Sequence, residues 1–387
     1  MKIRISYFVL GVLLFACFFG FYAIPLNIYS LVFLSALLAI CSFMVSRIRN
    51  INIKGRIRWI LYIVALFVSG ICGFDTINSF KYILFIFSIL ISAFAINKFC
   101  DFKWYYVFLG VCLIENIAVI LHFFIPNFIN KLNVFFLPDS LYSSMINSFE
   151  LGSYAGIAAD LPNAMFFSMS ILVMGMIFFM CEGKKLYLLF AAIGTIGVFL
   201  SGKRSGLLIL IIVVVVLYFM YAKKSKTISI RAIVLVLLFF AGFIYILYYT
   251  DIGKFYIMKN DVLQSSGDLS NGRAVLNEAM YKIFKENPVL GIGSLSTAGY
   301  YGSALGHNIY LQTLSENGIF GFIFLISILI LNFRDTIKKL IREKNTEVEK
   351  RIYFSIFIQV FFMCYGFLGN PLYGAVFLIP YILFSVW

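Results

Sequence analysis

Long runs without charged residues recur along this chain of 387 residues, and they constrain its fold more than any other feature. An apolar run of about 20 residues is long enough for a helix to cross the hydrocarbon core of a bilayer. With 62% hydrophobic and 12% charged residues, the chain has more apolar surface than a soluble domain could bury. We therefore predict an all-α polytopic membrane protein that forms a single integral membrane domain over 1–387. The pattern predicts about twelve spans, at roughly 6–23, 26–45, 58–74, 80–97, 104–125, 163–181, 186–201, 206–222, 230–250, 309–333, 352–369 and 371–386.

Basic residues predict the orientation of these spans. If the N terminus is cytoplasmic and the spans alternate, 22 of the 31 Lys and Arg residues lie on the cytoplasmic side and 9 lie outside. This distribution follows the positive-inside rule, so both termini are predicted to be cytoplasmic. The net charge of +14 is then a consequence of topology, and no nucleic-acid partner is expected. Two outer loops are long, at 126–162 and 251–306.

The second outer loop contains an amphipathic segment at 271–288. Its apolar positions have helical spacing and would form one stripe, made of Leu276, Ala279, Met280 and Ile283. Ser270 or Asn271 is the predicted N-cap, and Pro288 with the following glycines ends the helix. We expect this helix to lie near the outer membrane–water boundary.

The positions of the cysteines and histidines argue against disulfide bonds and against a metal site. The seven cysteines lie in the predicted spans or at their ends, so no disulfide framework is expected. No Cys/His spacing suits a metal ion, and the sequence predicts neither a metal nor a cofactor.

His307 is one of only two histidines and stands where the second outer loop meets a span. An imidazole at this boundary can exchange a proton near neutral pH. Asn308, Gln312 and Glu316 follow at intervals of four, which places them on one helix face that must meet the bundle interior or a watery cavity. Hydrogen bonding between helices is the alternative reading of this stripe. Glu316 lies too far along the helix to pair with His307.

Two arginines on the predicted outer side are candidate anion ligands. Arg204 lies in Ser201-Gly-Lys-Arg-Ser-Gly206, where glycines would let backbone N–H groups approach a phosphate beside the guanidinium fork. An ordinary polar turn is the alternative. Arg273 starts the amphipathic helix, where a cation is unfavourable with the helix dipole but could bind a phosphate together with the first-turn N–H groups. A solvated loop arginine is the alternative there.

The second histidine offers a competing site. Glu115 and His122 are seven residues apart on one face of the fifth span, an arrangement that could relay protons within the membrane. A structural polar contact is the favoured interpretation.

These residues carry a resemblance to a known family. Arg273, Asn287-Pro-Val-Leu-Gly-Ile-Gly293 and His307-Asn-Ile-Tyr-Leu, followed by Glu316-Asn-Gly318, resemble the C-terminal signature of the O-antigen polymerase/O-antigen ligase family of membrane glycosyltransferases. Ser201-Gly-Lys203-Arg204 resembles its upstream arginine motif, and Leu161-Pro-Asn163-Ala resembles its Pro-Asn before a span. The resemblance covers roughly 155–325.

The resemblance implies a GT-C-like, metal-independent, inverting glycosyltransferase of the bacterial inner membrane with its active site facing the periplasm. Its donor would be an oligosaccharide on undecaprenyl diphosphate, and a chain-length regulator and a flippase would be its pathway partners. By motif match His307 would be the catalytic base, and Arg204 and Arg273 would bind the diphosphate. Asn308, Glu316, Lys203 and Asn163 would support them.

Polymerase and ligase share these residues, and we favour the polymerase on the patchy family match and the aromatic-rich spans. A flippase for lipid-linked oligosaccharides belongs to a different class. It would require cations in the middle of the bundle, where the spans carry almost none.

Overall fold

A computed structural model describes residues 2–19, 27–46, 57–225, 272–301 and 306–385, with a few isolated positions between 234 and 249. Every regular element in these ranges is a helix. The α-helices, numbered in chain order, are α1 (Lys2–Phe19), α2 (Ile28–Ser46), α3 (Ile57–Ile71), α4 (Thr76–Phe99), α5 (Tyr105–Phe124), α6 (Pro126–Phe136), α7 (Asp139–Glu150), α8 (Leu161–Glu182), α9 (Leu186–Leu200), α10 (Arg204–Ser225), α11 (Arg273–Glu286), α12 (Thr297–Tyr301), α13 (Ile309–Arg342), α14 (Thr346–Tyr365) and α15 (Ala375–Ser385).

The all-α prediction is confirmed for the described residues, and eleven of the twelve predicted spans fall on helices. The ninth, 230–250, lies outside the continuously described ranges. Among the described residues, five helices are long and apolar enough, by length and composition, to cross a membrane: α4, α5, α8, α10 and α13. Five further apolar helices are shorter, in α1, α2, α3, α9 and α15. The total of about twelve spans stays a prediction.

Side-chain caps fix several helix starts. Asp75 accepts a hydrogen bond from the Asn78 N–H at the start of α4. Asn308 accepts from two backbone N–H groups at the start of α13, and Asn345 does the same for α14. These N–H groups have no partner within their own helix, so each cap satisfies donors that would otherwise be open.

The central helix is α8. Every residue from Leu161 to Phe178 is buried, and Phe166 packs against aromatic rings of α5, α14 and α15. Such a helix is apolar on all sides because protein surrounds it, as expected for the core of a large bundle. Its N-terminal end therefore holds a fixed position at one end of the bundle.

The predicted outer loops contain more helix than expected. The first, 126–162, is predicted as a loop but includes both α6 and α7. In the second, the amphipathic helix is present as α11, with Met280 and Ile283 buried. Its N-cap is Gly272 at a φ of 79°, so the predicted Ser270 or Asn271 cap is wrong. The N-cap lies one residue after Asn271 because Gly272 can take a left-handed conformation that ordinary residues avoid.

The links predicted to lie on the outer side of the membrane gather at one end of the bundle. Phe74 N–H donates to the Ile292 carbonyl at 2.6 Å, and Tyr154 N–H donates to the Leu200 carbonyl at 2.9 Å. Ile309 N–H donates to the Gly366 carbonyl, also at 2.9 Å. These bonds join segments that the sequence places on the same side of the membrane, as the predicted alternation requires.

Ion pairs mark the opposite end. Lys350, buried at the start of α14, contacts both Glu182 and Glu347. Arg58 and Asp335 lie 2.6 Å apart, and so do Lys224 and Glu349. The segments that contribute these residues are the ones predicted to be cytoplasmic.

Helix α13 is interrupted at Gly318, whose φ of 62° and ψ of −167° are not helical. The segment 288–293 runs along this break. Ile319 N–H donates to the Pro288 carbonyl at 2.9 Å, and Gly293 N–H donates to the Glu316 carbonyl at 2.8 Å. A Cβ at position 318 would lie 2.1 Å from the Val289 carbonyl oxygen. The break therefore requires glycine both for its backbone angles and for the closeness of the crossing chain.

Candidate active site

A cavity of about 450 Å³ opens at the end of the bundle where the links predicted to lie on the outer side of the membrane meet. The starts of α8, α10, α11 and α13 converge on it, so four helices direct their positive dipole ends toward the same space. Its described walls are formed by Leu141, Ala159, Asp160, Pro162, Asn163, Lys203, Ser205, Arg273, His307, Tyr365, Leu368, Asn370, Tyr373, Gly374 and Phe377.

His307 precedes α13 and is exposed to this cavity. The backbone on both sides of it is held: Asn370 Nδ2 donates to the Gly306 carbonyl, and the Asn308 side chain caps α13. Partial burial lowers the pKa of His307 below its ordinary value, and the charges of Arg273 and Lys203 lower it further. The neutral imidazole that can accept a proton is therefore favoured near neutral pH.

Two cations face the same cavity. Arg273 is the half-buried first residue of α11, directly after Gly272. Lys203 follows Gly202, whose φ of 66° turns the chain sharply between α9 and α10. Burial lowers the pKa of Lys203; the Asp160 carboxylate opposes this shift, and Arg273 adds to it. Two positive side chains beside helix N termini are a suitable environment for a phosphate group.

Arg204 is the second arginine predicted to bind an anion. It is the half-buried first residue of α10 and does not line the cavity, whereas its neighbours Lys203 and Ser205 do. Successive residues at a helix start point in different directions, and of these two adjacent cations it is Lys203 that lines the cavity. The sequence could not decide which of the two it would be.

Asn163 lines the cavity but acts on the backbone. Its side-chain amide donates to the Ala158 carbonyl at 3.0 Å. This bond holds the turn before α8, in which Ala159 has a φ of 61°. A non-glycine residue in this region is strained, and such strain concentrates at functional sites.

Glu316 and Asn308, which are predicted to support the site, do not line the cavity. Glu316 is fully buried and accepts hydrogen bonds from Thr297 Oγ1 at 2.5 Å, from the Leu295 N–H at 3.0 Å and from Gln312 Nε2 at 3.1 Å. Tyr373 OH also donates to it. The predicted shared face of Gln312 and Glu316 is confirmed. Glu316 therefore ties the end of the second outer loop to α13.

Asp160, Asn370 and Tyr373 are site residues that the sequence analysis missed. Asn370 joins the segment before α13 to α13 itself, because its Nδ2 contacts the Gly306 carbonyl and lies 2.7 Å from Gln312 Oε1. A polar residue at a link between two apolar spans was the available signal for it. Asp160 carried a similar signal, as the acid directly before the Leu161-Pro-Asn163 segment.

His122 is committed to structural contacts. The Gly156 N–H donates to its Nδ1 at 3.1 Å, so Nε2 carries the proton and donates to Asn130 Oδ1 at 2.9 Å. Its ring stacks on Phe149 with centroids 5.3 Å apart. Glu115 is buried, and its carboxylate has no hydrogen-bond partner among the described residues. Within those residues, no hydrogen-bonded relay joins Glu115 to His122.

Comparison with known proteins supports the predicted resemblance. The family model described as O-antigen ligase matches residues 188–326, a range that includes Lys203, Arg204, Arg273, His307 and Glu316. The family is a class of glycosyltransferase-like membrane enzymes that comprises O-antigen ligases and polymerases. A search of curated proteins finds no match to this chain.

Proposed function

We propose that the protein is an O-antigen, or surface-polysaccharide, polymerase at the outer face of the bacterial inner membrane. It transfers the growing glycan from undecaprenyl diphosphate onto a lipid-linked repeat unit. One observation carries this proposal: the His307 imidazole faces the same open cavity as Lys203 and Arg273. The cavity lies at the end of the bundle where the links predicted to be on the outer side of the membrane meet, and the pKa of His307 is lowered there.

The reaction is a single displacement at the anomeric carbon of the donor. His307 takes the proton from the acceptor hydroxyl, and the hydroxyl oxygen forms the new glycosidic bond. The bond from the anomeric carbon to the diphosphate breaks, and the diphosphate leaves with the bonding electron pair. A single displacement inverts the anomeric configuration. A general base of this kind contributes about 10²–10⁴-fold in rate.

The cations stabilise the leaving diphosphate. Its negative charge grows as the bond breaks, so fixed positive groups bind the transition state more tightly than the donor. Arg273 and Lys203 are placed to do this from the cavity wall. Arg204 joins them by motif match from the adjacent position. Because the chain itself supplies these charges, we propose that the reaction needs no metal.

An O-antigen ligase is the alternative, and the description of the matching family model favours it. It would use the same base and cations but transfer the glycan to lipid A core. A flippase is disfavoured because the cations around this cavity lie at helix starts and links, at one end of the bundle. A chain-length regulator and a flippase of the same pathway are the proposed partners of the polymerase.

Reconstitution tests the proposal directly. The purified protein is placed in liposomes with lipid-linked repeat units extracted from a producing strain, with a chelator and no added metal. We expect longer lipid-linked glycans from the wild type and none from His307→Ala. Transfer onto added lipid A core, without lengthening of the lipid-linked glycan, would identify a ligase. Absence of any transfer in both arms would refute the proposal.

A further inference from the structure

Asp160 is the only carboxylate among the described residues that line the cavity, where it shares the walls with Lys203, Arg273 and His307. A cavity that served only to hold a diphosphate would gain nothing from a negative charge, because like charges repel. The positive charge of Lys203 acts on Asp160, but the Lys203 side chain also lines the cavity. The carboxylate therefore needs an explanation beyond anion binding.

The local backbone presents Asp160 to the cavity. Asn163 holds the Ala158 carbonyl, Ala159 takes its left-handed conformation, and the Asp160 N–H donates to the same Ala158 carbonyl at 2.7 Å. Asp160 is the N-cap residue of α8, yet its side chain makes no capping hydrogen bond. The Asp160 side chain is exposed and lines the cavity. The carboxylate accepts a hydrogen bond from the backbone at Leu161. A carboxylate has about four acceptor sites, so the remaining ones can serve a ligand.

Sugar hydroxyls are the ligand groups that match this carboxylate. A carboxylate accepts two or more hydrogen bonds from hydroxyl donors, and such charge-assisted bonds are stronger than neutral ones. Aromatic rings flank the position: Tyr365 and Phe377 lie 5.1 Å apart between centroids, and Tyr365 is within electrostatic reach of both Asp160 and Arg273. Aromatic rings that share a cavity with a carboxylate and a guanidinium suit the apolar face of a sugar attached to a charged group.

We propose that Asp160 binds hydroxyl groups of the acceptor sugar and sets the direction in which substrates lie in the cavity. This inference rests on the proposed glycosyl transfer. Sugar hydroxyls are held on the Asp160 side, and the diphosphate is kept on the side of Arg273, because Asp160 attracts the first and repels the second. Asp160 is thus a specificity-determining residue, while His307 remains the base.

Asp160→Asn separates these roles. The amide keeps the size of the side chain and is an equally good N-cap residue, but it removes the charge. With lipid-linked repeat units in liposomes, we expect the KM for the acceptor to rise by about 10- to 100-fold, as for loss of a hydrogen bond to a charged group. The kcat should change far less. Inorganic diphosphate should inhibit Asp160→Asn more strongly than the wild type, because the repulsion is gone.

Asp75→Asn is the matched control. It makes the same change at the N-cap of α4, at the same end of the bundle but outside the cavity. We expect wild-type kinetics from it. A structural role for Asp160 would lower the melting temperature and the amount of active protein without strengthening inhibition by diphosphate.

The outcomes distinguish this inference from the proposed function. If the wild type polymerises and Asp160→Asn shows an unchanged acceptor KM and unchanged inhibition by diphosphate, the role of Asp160 is refuted and the polymerase proposal stands. If His307→Ala polymerises normally, the proposed mechanism fails first, and the assignment of Asp160 fails with it.

Discussion

Replacement of His307 by alanine should abolish chemistry while leaving the fold intact. The imidazole is exposed to the cavity and makes no hydrogen bond to any residue that the structure describes. Its removal leaves no buried donor or acceptor unpaired among those residues, so we expect a change in stability within about 0.5 kcal/mol. The backbone contacts of Gly306 and the cap by Asn308 do not involve the ring and remain.

The cost in rate is that of losing the base. A loss of about 10²–10⁴-fold corresponds to about 3–5 kcal/mol of transition-state free energy. His122→Ala provides the contrast. It leaves the buried Gly156 N–H and the Asn130 side chain without a partner, at about 1–3 kcal/mol for each group left unsatisfied. We therefore expect His122→Ala to lower the melting temperature and to keep most of the activity per folded molecule.

Two assays check this contrast. In cells that also contain a ligase, His307→Ala should leave single repeat units on lipid A core in place of ladders. In detergent, thermal unfolding of the purified variants should show a loss for His122→Ala only. Normal ladders from His307→Ala together with lost ladders from His122→Ala would refute the choice of base and point to a proton path through Glu115.

The other predictions concern the cations, pH, the helix break and topology. Arg273→Lys and Arg204→Lys should each lose most polymerisation, because a point charge cannot replace the guanidinium fork; full polymer length with normal expression would make either residue structural. Wild-type activity should fall as pH drops through the lowered pKa of His307, below 6.5, since protonation removes the base; in Arg273→Gln the acid limb of the residual activity should move to higher pH. Gly318→Ala should cost at least about 1–3 kcal/mol of stability through backbone strain, whereas Gly110→Ala, where a new Cβ meets nothing, should unfold like the wild type. In a cysteine-free background, cysteines at 140 and 265 should be labelled from outside and one at 225 should be protected; the reverse pattern would invert the topology.

Hydrophobic patterning was enough to predict the long apolar helices, because span length and polarity are local properties of the sequence. Helices α6 and α7 were missed since they are short and have mixed polarity, and such segments resemble loops by composition. The cap of α11 was placed on a polar side chain, but the chain uses the backbone freedom of Gly272 instead. Tertiary context decided both cases.

The candidate site could be predicted only in part. His307 was recognisable as a rare histidine where a loop meets a span, Arg273 as a cation that the helix dipole disfavours, and Lys203 as part of the arginine motif. Asp160 and Asn370 were not singled out, since their roles depend on which helix ends meet, and one sequence does not contain that information. The spacing of Gln312 and Glu316 gave a correct shared face but could not show that Glu316 binds Thr297 and Tyr373. Asn308, predicted on the same face, caps α13.

The interruption of α13 at Gly318 has a consequence for how the protein is assembled. A helix entering hydrocarbon normally satisfies its own backbone, but the break leaves the Ile319 N–H and the Glu316 carbonyl to be satisfied by the segment 288–293 and by Ser69 Oγ. That segment precedes α13 in the chain and is predicted to lie on the outer side of the membrane, opposite the ribosome. We therefore expect insertion of α13 to be completed together with docking of the preceding loop, which would bring the two sides of the candidate site into register before any substrate arrives.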